Sequence, residues 1–176
     1  RIRLGCTQPG ENVAVFGDAL RQLGEQASYL YTDGAQHWFS TQPNVTNTAR
    51  DRAAQVEEDN AFDEIETRIR KTEKERGGFA KVKACPLGHS DVSDDLDTQL
   101  VILRPSHPHV HGSKTSKAIQ TAQEFLDKRG SSPRFNKNAI VFLAADAASL
   151  EDLKNAASQF IGWNSICEEK KALSLD

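Results

Sequence analysis

With 176 residues, 38% hydrophobic and 27% charged, the chain has the composition of an ordinary globular protein able to bury one good core or two small ones. Lys and Arg number 22 against 25 Asp and Glu, and a net charge of −3 is too near balance to point to a partner. No apolar run is long enough to span a bilayer and no signal-peptide pattern is present, so no membrane partner is expected.

Cys6, Cys85 and Cys167 are odd in number, far apart and without CxxC spacing. That argues against a disulfide framework and a structural zinc site, and for a reducing, cytoplasmic compartment. The chain opens at Arg1 and contains no Met, so it is expected to be a piece of a longer protein.

In chain order, Arg1 to Leu4 alternates as a short strand does. Gln8-Pro9-Gly10 is a turn. Val13, Phe16, Leu20, Leu23, Ala27 and Leu30 recur at threes and fours, which predicts an amphipathic helix. Tyr29 to Thr32 and Gln36 to Ser40 read as two strands joined at Asp33-Gly34, a strong hairpin signal. A helix running into a tight hairpin is the closing half of a winged-helix module. Asn44 and Thr46 are candidate N-caps for a helix carrying Val45, Ala49, Ala53 and Val56. Phe62, Ile65 and Ile69 lie on another stripe, and the phase change predicts a break near Glu57 to Asn60. The mixed charges up to Arg76 read as a solvated helix face, and Gly77-Gly78 as a domain boundary.

The second half has an α/β rhythm. Phe79 to Cys85 alternates as a strand, Asp91 to Asp97 is an acidic loop or short helix, and Leu100 to Leu103 is a buried strand. Thr115 to Arg129 is an amphipathic helix with Gly130 as its C-cap. Ala139 to Ala145, the most apolar run, predicts a central strand, and Ser149 to Trp163 a closing helix. The expected architecture is mixed α/β: a winged-helix-like part over 1–43, a charged helical connector over 44–78, and a small three-stranded, mostly parallel α/β domain over 79–176.

Four features offer chemistry. The hairpin carries Tyr29, Tyr31, His37, Trp38 and Phe39, suited to lie on a nucleic-acid backbone. Yet residues 1–49 hold three arginines against four carboxylates, where a duplex binder offers a clear basic excess. Protein contact is therefore the favoured use, with His37 and Trp38 kept as candidate nucleic-acid contacts. His107, His109 and His111 alternate and would share one face of an extended strand, a possible metal set. Pro105, Pro108 and Gly112 favour instead an irregular loop of solvated histidines. Gly112-Ser113-Lys114-Thr115 mimics a phosphate-binding loop but lacks the leading glycine and has Ser113 interposed, so Walker A is rejected. What survives is a helix N-terminus, cappable by Ser113 or Thr115, with Lys114 and Lys117 to attract an anion. From Arg104 to Lys137, seven basic residues face two acidic ones; Arg104, Lys114, Lys117, Arg134 and Lys137 are the candidate polyanion contacts if they cluster. Asp94, Asp95 and Asp97 read as wet carboxylates. Asp146, at the end of the most apolar strand, reads as a helix N-cap or a ligand-side carboxylate. Cys85 reads as a buried structural thiol.

Three stretches carry a family resemblance: QPGENVAVFGDALRQLGEQASYLYTDGAQHWFSTQPNVTNTARDRAAQV, SPRFNKNAIVFLAAD and the tail FIGWNSICEEKKALSLD. Together they resemble an uncharacterised family of large bacterial and archaeal AAA+-like ATP-binding proteins, often encoded beside restriction, DNA-modification or phage-defence genes. The resemblance covers nearly the whole chain and lies in extended strings. It implies that this is the C-terminal region of such a protein, with both Walker motifs, ATP and Mg upstream and no cofactor here. Phe16 to Thr41 match the family's helix-plus-hairpin element and Ala139 to Asp146 its C-terminal strand. No functional residue transfers. The resulting expectation is a non-catalytic region coupling the upstream ATPase domain to DNA or a DNA-modification protein. The alternatives are a DNA-binding module using residues 104–137, and a degenerate metal-dependent nuclease or hydrolase using Asp146 with the His107 loop.

Overall fold

A computed structural model describes residues 7–169. The strand expected at Arg1 to Leu4, and Cys6, lie outside the described residues. The chain divides into two compact units, one of residues 1–56 with 159–176 and one of residues 57–158. The division falls at Val56, ahead of the expected boundary at Gly77-Gly78, because the expected connector splits. Its first helix joins the first unit and its second helix the other.

In the first unit, α1 (Val13–Gln26) starts where the Asn12 side chain accepts the Ala14 N–H at 3.0 Å. β1 (Leu30–Asp33) and β2 (Gln36–Phe39) form the expected antiparallel hairpin, in the register Leu30↔Phe39 and Asp33↔Gln36. Its two-residue turn is Gly34-Ala35, and Gly34 takes the left-handed φ of 55° that such a turn requires. α2 (Val45–Ala54) is capped by Asn44, which accepts from Thr46 and Asn47 N–H. Asn47 is buried, yet its amide donates to the Gly24 and Ala27 carbonyls at 3.3 and 2.9 Å. One polar side chain thereby ties α2 to the carboxyl end of α1, where the last carbonyls lack helical partners. The helix–hairpin order is present as expected.

In the second unit, α3 (Glu58–Lys71) follows a break at residues 55–57, close to where the phase change predicts it. Glu58 and Asp59 open this helix and Arg68, Arg70 and Lys71 close it, each sign at the favourable end of the dipole. β3 (Lys81–Ala84), β4 (Gln99–Ile102) and β7 (Ile140–Leu143) make one parallel sheet, and this mixed α/β class is the one the sequence predicts. β4 is the central strand. The apolar run expected at the centre forms β7 at the side of the sheet, where Val141 and Leu143 stay about half exposed. Apolarity alone does not rank strands; here β4 gains both neighbours and buries Val101 completely.

α4 (Lys117–Asp127) covers one sheet face, packing Ala118 and Phe125 with Val92, Val101, Leu103 and Ile140. Burying Phe125 there contributes roughly 2–3 kcal/mol. The expected cap at Gly130 is corrected. α4 ends at Asp127, and Gly130 (φ 60°) turns a small hairpin of β5 (Lys128–Arg129) and β6 (Ser132–Pro133). The loop between β3 and β4 has no helix beyond a single turn at His89–Asp91 and is tied down by side chains instead. α5 (Leu150–Glu168) contributes its first half to this unit and its second half to the first unit. Among the described residues no helix is long and apolar enough to cross a membrane.

Within the first unit, Gly162 of α5 touches α2 so closely that a Cβ added there would meet the Ala49 carbonyl oxygen at 2.5 Å. The obstacle is backbone and cannot swing aside. We predict that Gly162→Ala, which gains about 1 kcal/mol of helix propensity, still destabilises by about 1–2 kcal/mol through overpacking. Urea unfolding of both proteins checks the sign.

Candidate functional site

Two surfaces bring chemistry-bearing residues together, one in each unit. On the hairpin, Tyr31 and Trp38 stack with ring centroids 5.9 Å apart, and the Tyr31 hydroxyl donates to the Pro43 carbonyl at 2.9 Å. That bond fixes the aromatic pair while Phe39, beside it, is 77% exposed. Between hairpin and α1 runs an open groove of about 1290 Å³, walled by Gly17, Leu20, Gly24, Thr32 and Trp38. Its charged lining is Asp18, Arg21 and Glu25, and the Arg21–Glu25 pair at 3.1 Å leaves Asp18 in excess. His37 also lines it, and its buried Nδ1 has no hydrogen-bond partner among the described residues.

The second surface lies at the carboxyl ends of β3 and β4, the side of an open parallel sheet where ligands bind. The strands run in sequential order, so the position rests on the strand ends and not on a reversal of strand order. Glu66 of α3 is buried there, with only 3% of its side chain exposed. One carboxylate oxygen accepts from Arg104 Nε at 2.6 Å and the other from Arg70 Nη2 at 3.0 Å. A buried carboxylate between two guanidinium groups is stable because both partners return Coulomb and hydrogen-bond energy for its lost hydration. Glu66 in turn holds Arg104 more firmly protonated than a free arginine. The Arg104 Nη atoms make no hydrogen bond among the described residues.

Cys85 follows β3 with a left-handed φ of 47°, unusual for a side chain with a Cβ. Its N–H donates to the Ile102 carbonyl at 2.8 Å, and its own carbonyl accepts from Arg70 at 3.4 Å. The sharp turn throws Pro86 to His89 over the strand ends as the wall of a cavity. Burial pushes the Cys85 thiol up to about 11, with Glu66 adding to the effect, so it stays protonated near neutrality and is no nucleophile. The cavity measures about 530 Å³ and is lined by His89, Arg104, His107 and, from α4, Lys117, Gln120 and Glu124. A turn closed by the His107 N–H on the Arg104 carbonyl (2.9 Å) sets those two side by side. Burial, then Arg104 and Lys117, lower the pKa of His107, as expected beside two cations.

The predicted polyanion contacts thus separate. Arg104 and Lys117 meet in the cavity. Lys114 is exposed on the loop before α4 and does not line it. Lys137 pairs with Asp127 at 3.3 Å. Arg134 is corrected from surface contact to interior brace. It is 2% exposed, and its guanidinium donates to the carbonyls of Phe125, Ser93, Val92 and His89. The three histidines do not act together either. His107 lines the cavity, His109 Nδ1 lies 3.0 Å from Ser116 Oγ, and His111 is exposed. Among the described residues no three or more His, Cys, Asp or Glu side chains gather at metal-ligating distance. The expected wetness of Asp94 and Asp95 is only partly right: Asp94 caps the Phe135 and Asn136 N–H groups, and Asp95 bonds Lys81, each holding its carboxyl below the usual range. Asp146 precedes a single helical turn, and its backbone forms a parallel bridge with His109.

Sequence reasoning missed Glu66 and the Pro86–His89 wall. The signal for Glu66 was its phase, because a Glu four residues after Phe62 and three before Ile69 sits on the inward stripe.

Glu66→Gln keeps the shape but leaves Arg70 and Arg104 without their shared carboxylate. We predict a loss of about 2 kcal/mol, discounted for the partly exposed arginines. Glu64→Gln, which removes only the i,i+4 pair with Arg68, is expected to cost under about 0.5 kcal/mol. Paired chemical denaturation curves decide it. No family model matches this chain, and neither does any curated protein or solved structure.

Proposed function

We propose that this chain is a contact module of a larger AAA+-like ATPase, coupling the state of an upstream nucleotide site to a protein partner through its helix–hairpin head. The family resemblance supplies the ATPase context, with ATP and Mg bound upstream and the whole working in a reducing, cytoplasmic compartment. The observation that carries the reading is the hairpin surface. Phe39 is 77% exposed next to a fixed Tyr31–Trp38 stack, and the groove alongside has an acidic excess. Rigid aromatics in solvent are the anchors of protein interfaces, where a few residues of this kind carry most of the binding energy. The same carboxylates would repel a phosphate backbone, so DNA is reached through a partner protein and not by this hairpin.

The test measures binding of the protein partner by the intact parent, with ATP and with ADP. We expect an affinity that differs between the two nucleotides. Phe39→Ser should weaken it about tenfold or more, with an unchanged melting temperature because Phe39 is exposed. Equal affinity for Phe39→Ser and the natural chain, or an affinity blind to the nucleotide, contradicts the reading.

A further inference from the structure

We propose that the cavity at the carboxyl ends of β3 and β4 binds a phosphomonoester, its phosphoryl group held by Arg104, Lys117 and His107 and its organic body lying along α4. The site belongs to the second unit and stands independently of the hairpin reading.

The donor set selects the anion. The Arg104 fork has both Nη groups without a described partner, because Glu66 occupies only Nε. A guanidinium held by one edge and presenting the other is pre-aligned for two oxygens of an oxyanion. Lys117 Nζ is a third, movable donor, in no ion pair among the described residues, and His107 is a fourth. A carboxylate offers two oxygens and is saturated by the fork alone. Three terminal oxygens and a charge near −2 make use of the fork, the ammonium and the imidazole together.

The remaining wall fits an organic body. Glu124 is the one carboxylate lining the cavity, seven residues beyond Lys117 and so about 10 Å along the helix. Its charge still reaches His107, where Arg104 and Lys117 outweigh it, and it is placed to accept from a hydroxyl. Gln120 and Thr121 lie between, and Leu87, 77% exposed, adds an apolar surface. His89 completes the rim. Its Nδ1 accepts the Gly130 N–H at 3.0 Å, which puts the proton of the neutral ring on Nε2 as a donor. A phosphate at one end, polar groups in the middle and an acceptor at the other suit a phosphomonoester with a hydroxyl-bearing body, for which a mononucleotide, free or as the phosphorylated end of a strand, is the probe.

Isothermal titration of the whole chain with AMP, adenosine and inorganic phosphate tests this. We expect one saturable AMP site, weaker binding of inorganic phosphate, and none of adenosine. Lys117→Gln, an exposed change that spares the fold, should weaken AMP about tenfold, the worth of one charge-assisted hydrogen bond. Arg104→Lys keeps the charge against Glu66 but loses the fork, and should do the same. Lys114→Gln, outside the cavity, should change nothing. A 5′-phosphorylated oligonucleotide that binds tighter than AMP, with its unphosphorylated twin inert, assigns the phosphate to a strand end; AMP binding at least as tightly assigns it to a free nucleotide. Adenosine binding like AMP, Lys114→Gln losing as much as Lys117→Gln, or no saturable binding of AMP or phosphate overturns the proposal.

Discussion

A guanidinium inside the protein organises the second unit. Arg134 leaves water with its charge intact, and burial pulls its pKa down while neighbouring Asp94 pulls it up. What makes this tolerable is hydrogen bonding, since its donors meet four backbone carbonyls, of Phe125 at the end of α4 and of His89, Val92 and Ser93 in the β3–β4 loop. That loop has almost no regular structure to satisfy its own carbonyls. Asp94 reciprocates by capping the N–H groups of Phe135 and Asn136. A crossover between parallel strands normally carries a helix that packs on the sheet. Here one arginine and one aspartate replace it, and Val92 is thereby seated in the core.

The cavity depends on that brace. Its outer wall is the start of the braced loop, and its floor is Arg104, two residues past the end of β4, oriented by Glu66. Two arginines thirty positions apart in sequence therefore have opposite duties, which burial assigns: 2% exposure against 34% of the side chain. The hairpin surface of the first unit follows a different logic. There the aromatic stack is exposed, held by a single hydroxyl bond to Pro43, and its surroundings are acidic. One unit presents aromatic area, the other a cavity lined by Arg104 and Lys117.

Local pattern made most elements legible. The helical period of α1, the hairpin signal at Asp33-Gly34 and the Asn44 cap are properties of neighbouring residues; the helix and the cap appear as read, and the hairpin forms with its turn one residue later, at Gly34-Ala35. The apolar strands and the amphipathic α4 were equally plain, and with them the mixed α/β class. Long-range relations were not. Nothing near Arg134 distinguishes it from Lys114, since its partners lie as far as 45 residues away. The connector looked uniform because charge hides whether a residue such as Glu66 faces inward. Strand order failed for β7 because hydrophobicity reports burial on a face, while centrality depends on pairing along both edges. The basic stretch is a real excess of charge whose members point to different places, a fact of the fold that composition cannot hold.

The most direct measurement is hydrogen exchange on Arg134→Lys. A lysine can keep the charge but cannot reach four carbonyls from one planar fork. If Arg134 braces the loop, amides of residues 87–95 and 134–136 should exchange faster, while those of Val101 and Leu103 in the central strand region stay protected. Unchanged exchange in those segments, or equal acceleration through the whole sheet, would contradict the claim that this one guanidinium holds the β3–β4 loop in place.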